Sequence, residues 1–186
     1  MLIKAPREVE EMVKAVTKEQ VLENLYITLA REGRYKDCIK EKFLDMDVIL
    51  RFQLDNEHWI PVTDGFLISK CITPGEAWLK ARMPETEIAD CGSMIIMGFM
   101  TTFGAVGMMD EDKRRVASEA AGGSFYALPS SVHEFIVVPD SDAPDLDCLR
   151  SMVYDANRSG VVSDKDFLSD HVYHYDCESD ELSIVA

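Results

Sequence analysis

The clearest pattern along this chain is an alternation of apolar and polar positions after residue 45. The apolar members are Met46, Val48, Leu50, Phe52 and Leu54, and the positions between them are mostly polar, namely Asp47, Arg51, Gln53 and Asp55. A period of two places the two sets on opposite faces of a β-strand. The alternation therefore predicts a strand over 46–54.

Shorter apolar runs predict the remaining strands. A polar turn at 55–57 leads to Trp59 and Ile60, and Asp64-Gly65 separates these from the apolar run 66–68. This order predicts a hairpin or meander. Further strands are predicted over the apolar runs 94–99, 125–128, 135–138, 172–175 and 182–185. The first of these runs is typical of a central strand, and the last two of a closing hairpin.

Helices are predicted where apolar residues recur every three or four positions or capping residues precede them. These segments are 6–16 with Pro6 in its first turn, 73–83 opened by Thr73-Pro74, 110–121 closed by Gly122-Gly123, and the stretch from Pro144 to about Gly160. Residues 19–30 fit two structures. Thr17 with Gln20 forms a helix-capping pattern, whereas the apolar positions 25, 27 and 29 alternate as in a strand.

The order of helices, hairpins and crossovers favours an α+β fold with a mixed, largely antiparallel sheet and helices packed on it. A chain of 186 residues fits one domain. We therefore expect a single domain over 1–186, with the N-terminal helix within 1–19 as a peripheral element.

Composition adds a strong negative charge, a formal net −15 at pH 7. Such a surface repels nucleic-acid phosphates and anionic membranes, which argues against direct binding to either. It favours either solubility alone or recognition of a basic protein partner. Imitation of a nucleic acid toward a DNA-binding protein is one form of such recognition.

The chain also shows no targeting or disulfide pattern. Residues 1–11 carry charges where a signal peptide has an apolar run, and no stretch approaches the roughly 18 apolar residues of a membrane span. We therefore expect a cytoplasmic location. The cysteine number is odd and no CxxC spacing occurs, so we expect reduced thiols buried as small apolar groups: Cys38, Cys71, Cys91, Cys148 and Cys177.

Three familiar site motifs are incomplete, and no cofactor is expected. The glycines at 98, 104 and 107 lack the lysine of a phosphate-binding loop and are assigned to packing and turns. The segment 122–126 lacks the closing glycine of a hydrolase nucleophile elbow. The acidic run 140–147 departs from an EF-hand loop at Asp145 and Ser151, and is interpreted as a solvated turn that caps the next helix.

The segment Ser130-Ser131-Val132-His133-Glu134 is the densest polar cluster between apolar flanks. A carboxylate can orient an imidazole, and the imidazole can accept a hydroxyl proton, so Ser131, His133 and Glu134 are candidate catalytic residues. On a strand, Ser131 and His133 share a face, while Glu134 points away. The competing interpretation, which we favour, is a turn whose histidine is satisfied by hydrogen bonds within the sheet.

His171, His174 and Cys177 are spaced by three residues, and all three side-chain types bind zinc. On a strand this spacing puts His174 on the face opposite His171 and Cys177, and the sequence identifies no fourth ligand. They are the candidate metal ligands of this chain, and we expect no metal.

Two motifs resemble a domain-of-unknown-function family common in gut-dwelling clostridial bacteria: Leu128-Pro129-Ser130-Ser131-Val132-His133-Glu134, and the run from Leu168 to Asp176. Met152-Val153, Asn157 and the run 43–46 add to the likeness, which spans about 20–186. Members of that family look longer at the N-terminus, so this chain resembles a shortened member. The resemblance implies no activity and no catalytic residue. It favours a strand for 22–29 and a bacterial cytoplasmic setting.

Three functional hypotheses follow. The first is a non-catalytic interaction domain that binds a basic protein partner. The second is a hydrolase in which His133 activates Ser131 or a cysteine. The third is an acidic nucleic-acid mimic. The oligomeric state is not specified by any pattern in the chain.

Overall fold

The computed structural model describes residues 7–92 and 94–186. Within them the chain forms two antiparallel sheets, of four and six strands, with helices packed on them. The predicted fold class, α+β, is therefore confirmed. The helices are α1 (Arg7–Ala15), α2 (Lys18–Glu23), α3 (Asp64–Ser69), α4 (Pro74–Lys80), α5 (Glu111–Ala121), α6 (Leu146–Arg158) and a 3₁₀ helix (Gly104–Met109). The strands are β1 (Leu25–Arg31), β2 (Lys40–Phe43), β3 (Met46–Gln53), β4 (Trp59–Pro61), β5 (Ile88–Asp90), β6 (Ile95–Met97), β7 (Phe125–Pro129), β8 (Phe135–Pro139), β9 (Tyr173–Asp176) and β10 (Glu181–Ile184).

In the first sheet, β3 pairs with β1 along one edge and with β2 and β4 along the other. The second sheet has the order β10-β9-β7-β8-β6-β5. Its central strands β7 and β8 are joined by the short segment 130–134, which carries the polar cluster predicted as a candidate site.

The main core joins the two sheets and the 3₁₀ helix. Its buried side chains include Leu29, Met46, Val48, Val106, Met108, Phe125, Phe135 and Tyr173. A second core packs the other half of the first sheet against α2, α3 and α4. Helix α6 covers part of the outer face of the second sheet through Leu149 and Val153, which pack with Leu128 and Val172.

Most predicted elements are confirmed, including the capped helices at 74–80 and 111–121, and α6. The ambiguous segment 19–30 contains both structures: a capping box at Thr17 and Gln20 starts α2, and β1 begins at Leu25. The strand favoured for 22–29 is therefore wrong at 22–24, where α2 ends and its C-cap Asn24 follows. Pro6 lies outside the described residues, and α4 ends at Lys80, before the predicted Met83.

One prediction in the first sheet is wrong. Residues 64–69 form a helix instead of a strand, because the Thr63 hydroxyl accepts the Phe66 N–H and caps it. The polar side chains of β3 are not exposed: Asp47 is 1% and Arg51 is 6% exposed. Lys40 and Lys42 pair with Asp47, and Arg51 is enclosed by hydroxyl groups and aromatic rings.

Candidate functional site

Local hydrogen bonds shape the segment between β7 and β8. The backbone N–H groups of Ser130 and Ser131 donate to the Glu134 carbonyl, at 3.2 and 3.3 Å. The Ser131 hydroxyl accepts the His133 N–H at 3.0 Å, and the Ser130 hydroxyl donates to Glu134 Oε1 at 3.2 Å. Both serines thus form the turn, as the favoured interpretation predicted, and Ser131 Oγ bonds the backbone of His133 instead of its ring.

The imidazole of His133 is fixed by its own contacts. The Phe103 N–H donates to His133 Nδ1 at 3.0 Å, so a neutral ring carries its proton on Nε2. Nε2 lies 3.6 Å from Asp166 Oδ1, and the ring packs against the Phe103 ring at 5.3 Å between centroids. With Nδ1 already accepting a backbone proton, the ring has no free lone pair for the proton of Ser131.

Two glycines let the backbone of 98–104 approach His133. A Cβ at Gly98 would lie 2.2 Å from the His133 carbonyl oxygen, and one at Gly104 would lie 2.6 Å from Gly98 Cα. Gly98 also has φ of +96°, where a side chain is strained. The prediction that these glycines serve packing and turns is confirmed. They bring the Phe103 amide within reach of His133.

Beside His133 lies a pocket of about 180 Å³. Its lining is Ser130, Ser131, His133, Glu134, Val161, Val162, Ser163 and Asp166. The Ser163 hydroxyl donates to Asp166 Oδ2 at 2.6 Å. Within the described ranges, neither Glu134 nor Asp166 has a lysine or arginine nitrogen within 4.0 Å. The pocket therefore presents two carboxylates and an imidazole, and no cysteine lines it among the residues described.

A second polar cluster links the two sheets at Asp45, in the turn between β2 and β3. The Asp45 carboxylate accepts hydrogen bonds from Tyr173 at 2.6 Å, Ser169 at 2.8 Å and His171 Nδ1 at 2.9 Å. Burial alone would raise the pKa of Asp45, but these hydrogen bonds lower it below its ordinary value. Burial and the Asp45 carboxylate both raise the pKa of Tyr173. The cluster orients the exposed His171 ring and ties β9 to the first sheet.

The predicted metal candidates have separate partners. His171 contacts Asp45, His174 Nε2 lies 3.1 Å from both Asp140 oxygens, and the Cys177 N–H donates to the Ser124 hydroxyl. Across residues 7–92 and 94–186, no group of three metal-binding side chains is found. The structure thus does not bring His171, His174 and Cys177 into one site. Nearby, the Asp145 carboxylate accepts the Cys148 N–H and caps α6, as the acidic run predicted.

A further cavity, of about 420 Å³, lies next to the 160–167 segment. Two arginines line it, but both are paired: Arg31 Nη1 lies 3.5 Å from Asp164, and Arg158 makes two hydrogen bonds to Asp170. The Asp170 carboxylate neutralises the Arg158 guanidinium, and the hydrogen bonds from Arg158 lower the pKa of Asp170. The cavity is therefore not an anion site by charge.

Sequence reasoning missed the partners that come from distant segments. Asp45 lies 126 positions from His171, which it contacts. His133 lies 30 positions from Phe103 and 33 positions from Asp166. The prediction of buried cysteines is wrong for Cys71, Cys91, Cys148 and Cys177, whose side chains are exposed, while Cys38 is half-buried. All five are free thiols, as expected.

Comparison with known proteins supplies a family and no activity. No helix among the described residues has the length and apolar character needed to cross a bilayer. Neither the curated proteins nor the solved structures include a significant match. The sequence profile of DUF5688, described as a family of unknown function, matches residues 66–177. This range holds the 128–134 and 168–176 motifs and is narrower than the predicted span 20–186. Since the match covers more than half of the chain, the protein belongs to the DUF5688 family of unknown function.

Proposed function

We propose that this chain is a non-catalytic interaction domain that binds a basic protein partner. One observation carries the proposal: Glu134 and Asp166 line an accessible pocket without a lysine or arginine partner among the described residues. The chain as a whole carries a formal net charge of −15, which favours the approach of a positively charged surface.

The geometry at His133 favours binding over hydrolysis. A serine nucleophile needs its hydroxyl hydrogen-bonded to the lone pair of a base. Here Ser131 Oγ contacts the His133 backbone, and Nδ1 of the ring accepts the Phe103 amide. The hydroxyls and the imidazole instead hold the turn that displays Glu134.

The test is affinity capture from a lysate of the source cells with the full chain immobilised. An unrelated globular protein of equal size and net charge is the matched control. We expect a defined basic protein to be retained at about 0.15 M salt, where exposed charges are screened beyond roughly 8 Å. Free domain in excess should release it. Retention of no protein, or of the same proteins on the control, would overturn the proposal.

A further inference from the structure

An apolar cleft adjoins the His133 pocket where α6 crosses the outer face of the second sheet. Its volume is about 120 Å³, and its walls are nearly all apolar. The lining is Leu128, Pro129, Ser130, Ile136, Met152, Val153 and Ala156. Val153 anchors the helix to the sheet, while Met152 is 48% exposed at the rim. The cleft can therefore admit an aliphatic side chain from outside.

Ser130 lines both this cleft and the carboxylate pocket, so the two spaces are direct neighbours. One is apolar, and the other holds Glu134 and Asp166. An extended chain crossing both would place an aliphatic side chain in the first and a cationic side chain in the second. Lys and Arg suit the second space because their apolar stems can pack on Val161 and Val162 while the charged group meets the carboxylates.

We propose that this double cleft binds a segment of the basic partner in which an aliphatic residue stands next to Lys or Arg. The inference rests on the proposed function and adds the site and the ligand class. Charge complementarity selects this occupant. A second copy of the chain would itself carry a net −15, and a nucleic acid would bring phosphates to Glu134 and Asp166.

The direct test is NMR titration of the ¹⁵N-labelled full chain with capped tetrapeptides, Gly-Leu-Lys-Gly and Gly-Lys-Leu-Gly. Control peptides replace Leu with Ala or Lys with Glu. We expect saturable shifts confined to 128–136, 152–156 and 161–166, with binding weakened about tenfold by either replacement, the loss expected for one aliphatic group or one charge-assisted contact. Shifts from the control peptides equal to those from the parent peptides, or shifts elsewhere, would overturn the inference.

Matched variants locate the site. Met152→Glu and Val116→Glu add the same charge on α6 and α5 at residues that are both 48% exposed. Glu134→Gln in the pocket is matched by Glu119→Gln on the exposed face of α5. We expect the two cleft variants to weaken the Leu-Lys peptide about tenfold and the two α5 variants to leave it unchanged, with folding checked by each spectrum. Equal affinity of the Met152 and Val116 variants would contradict the assignment.

Failure of this inference is distinguishable from failure of the proposed function. If a basic protein is captured equally by the wild-type chain and by Met152→Glu, the partner binds another surface and only the double cleft is wrong. If the wild-type chain captures no basic protein, the proposed function is itself wrong.

Discussion

The backbone N–H of Phe103 donates a 3.0 Å hydrogen bond to Nδ1 of His133. Phe103 is 8% exposed and has φ of +60°, a left-handed conformation that is uncommon for a bulky residue. The bond therefore satisfies a donor in a strained segment that packs directly beneath the 130–134 turn. His133 therefore fixes the 130–134 turn to the segment that contains Phe103.

Replacing His133 tests this anchoring role. In His133→Ala the Phe103 amide loses its acceptor, and an unsatisfied buried donor costs about 1 to 3 kcal/mol of unfolding free energy. His133→Asn keeps an acceptor near the Nδ1 position, so we expect it to recover part of that loss. Urea unfolding of both variants measures the difference. Equal destabilisation would show that the ring packing against Phe103, and not the hydrogen bond, holds the turn.

Gly98 should tolerate no side chain. In Gly98→Ala the new Cβ would meet the His133 carbonyl oxygen at 2.2 Å, which forces β6 and the turn apart. Gly160→Ala is the control, because Gly160 has φ of +81° and no atom lies within 4 Å of the place that its Cβ would take. The left-handed conformation alone costs roughly 1 to 2 kcal/mol.

We therefore expect Gly160→Ala to lower the free energy of unfolding modestly. Gly98→Ala should lower it by roughly 1 to 3 kcal/mol more, the usual range for overpacking. Thermal unfolding of both variants measures the difference. Failure of Gly98→Ala to fold would agree with this order. A Gly98→Ala variant as stable as Gly160→Ala would contradict the close backbone approach described above.

Asp45 makes stability dependent on pH in the acid range. Its pKa is lowered in the folded state by hydrogen bonds from Tyr173, His171 and Ser169, which outweigh burial. A carboxyl with a lowered folded pKa stabilises the fold above its unfolded pKa, about 3.9. That stabilisation is lost as pH falls through the lower folded pKa.

The comparison is between wild type and Asp45→Asn, with urea unfolding measured from pH 7 to pH 2.5. We expect the wild type to be the more stable at pH 5 to 7, and the difference to shrink below about pH 3.9. Asp37→Asn, at an exposed position, should change the unfolding free energy by less than about 0.5 kcal/mol at pH 7. A wild-type advantage that stays constant to pH 2.5 would contradict the assigned role of Asp45.

Local patterns predict elements here, whereas the sites depend on distant contacts. The alternation from Met46 predicts β3, and Thr73-Pro74 predicts α4, because periodicity and capping act within a few residues. Helix α3 was missed because Asp64-Gly65 is typical of a turn, although Thr63 caps a helix there. Strand β2 was missed because Lys40–Phe43 is mostly charged, as edge strands often are.

The contacts that define the candidate site follow no local rule. Phe103 and His133 are 30 residues apart, and Asp45 and His171 are 126 residues apart. Their meeting depends on how the two sheets pack, which hydrophobic periodicity does not specify. The sequence could predict that Ser130 and Ser131 form a turn after Pro129. It could not show that the Phe103 amide bonds Nδ1 of His133, or that Asp166 Oδ1 lies 3.6 Å from Nε2 of the same ring.

Arg51 should control the ionisation of Tyr35. The Arg51 guanidinium donates to the Tyr35 hydroxyl at 3.0 Å and lies 4.4 Å from the Phe103 ring centroid. Among the described residues no carboxylate oxygen lies within 4.0 Å of it, so the phenol is its main polar neighbour along with the Thr28 hydroxyl. Burial acts to raise the pKa of Tyr35, but Arg51 and, to a smaller degree, Arg34 lower it below its ordinary value.

Arg51→Met replaces the guanidinium by an uncharged side chain of similar length. Because the lowering influence of the charge is then lost, burial should raise the pKa of Tyr35. Arg34→Met removes the weaker influence and should raise that pKa less. Titration of the ¹³Cζ resonance of Tyr35 in ¹³C-tyrosine-labelled protein measures both shifts. An unchanged pKa in Arg51→Met would contradict the pairing. A larger rise in Arg34→Met than in Arg51→Met would assign the dominant influence to Arg34 and contradict the stronger effect ascribed to Arg51.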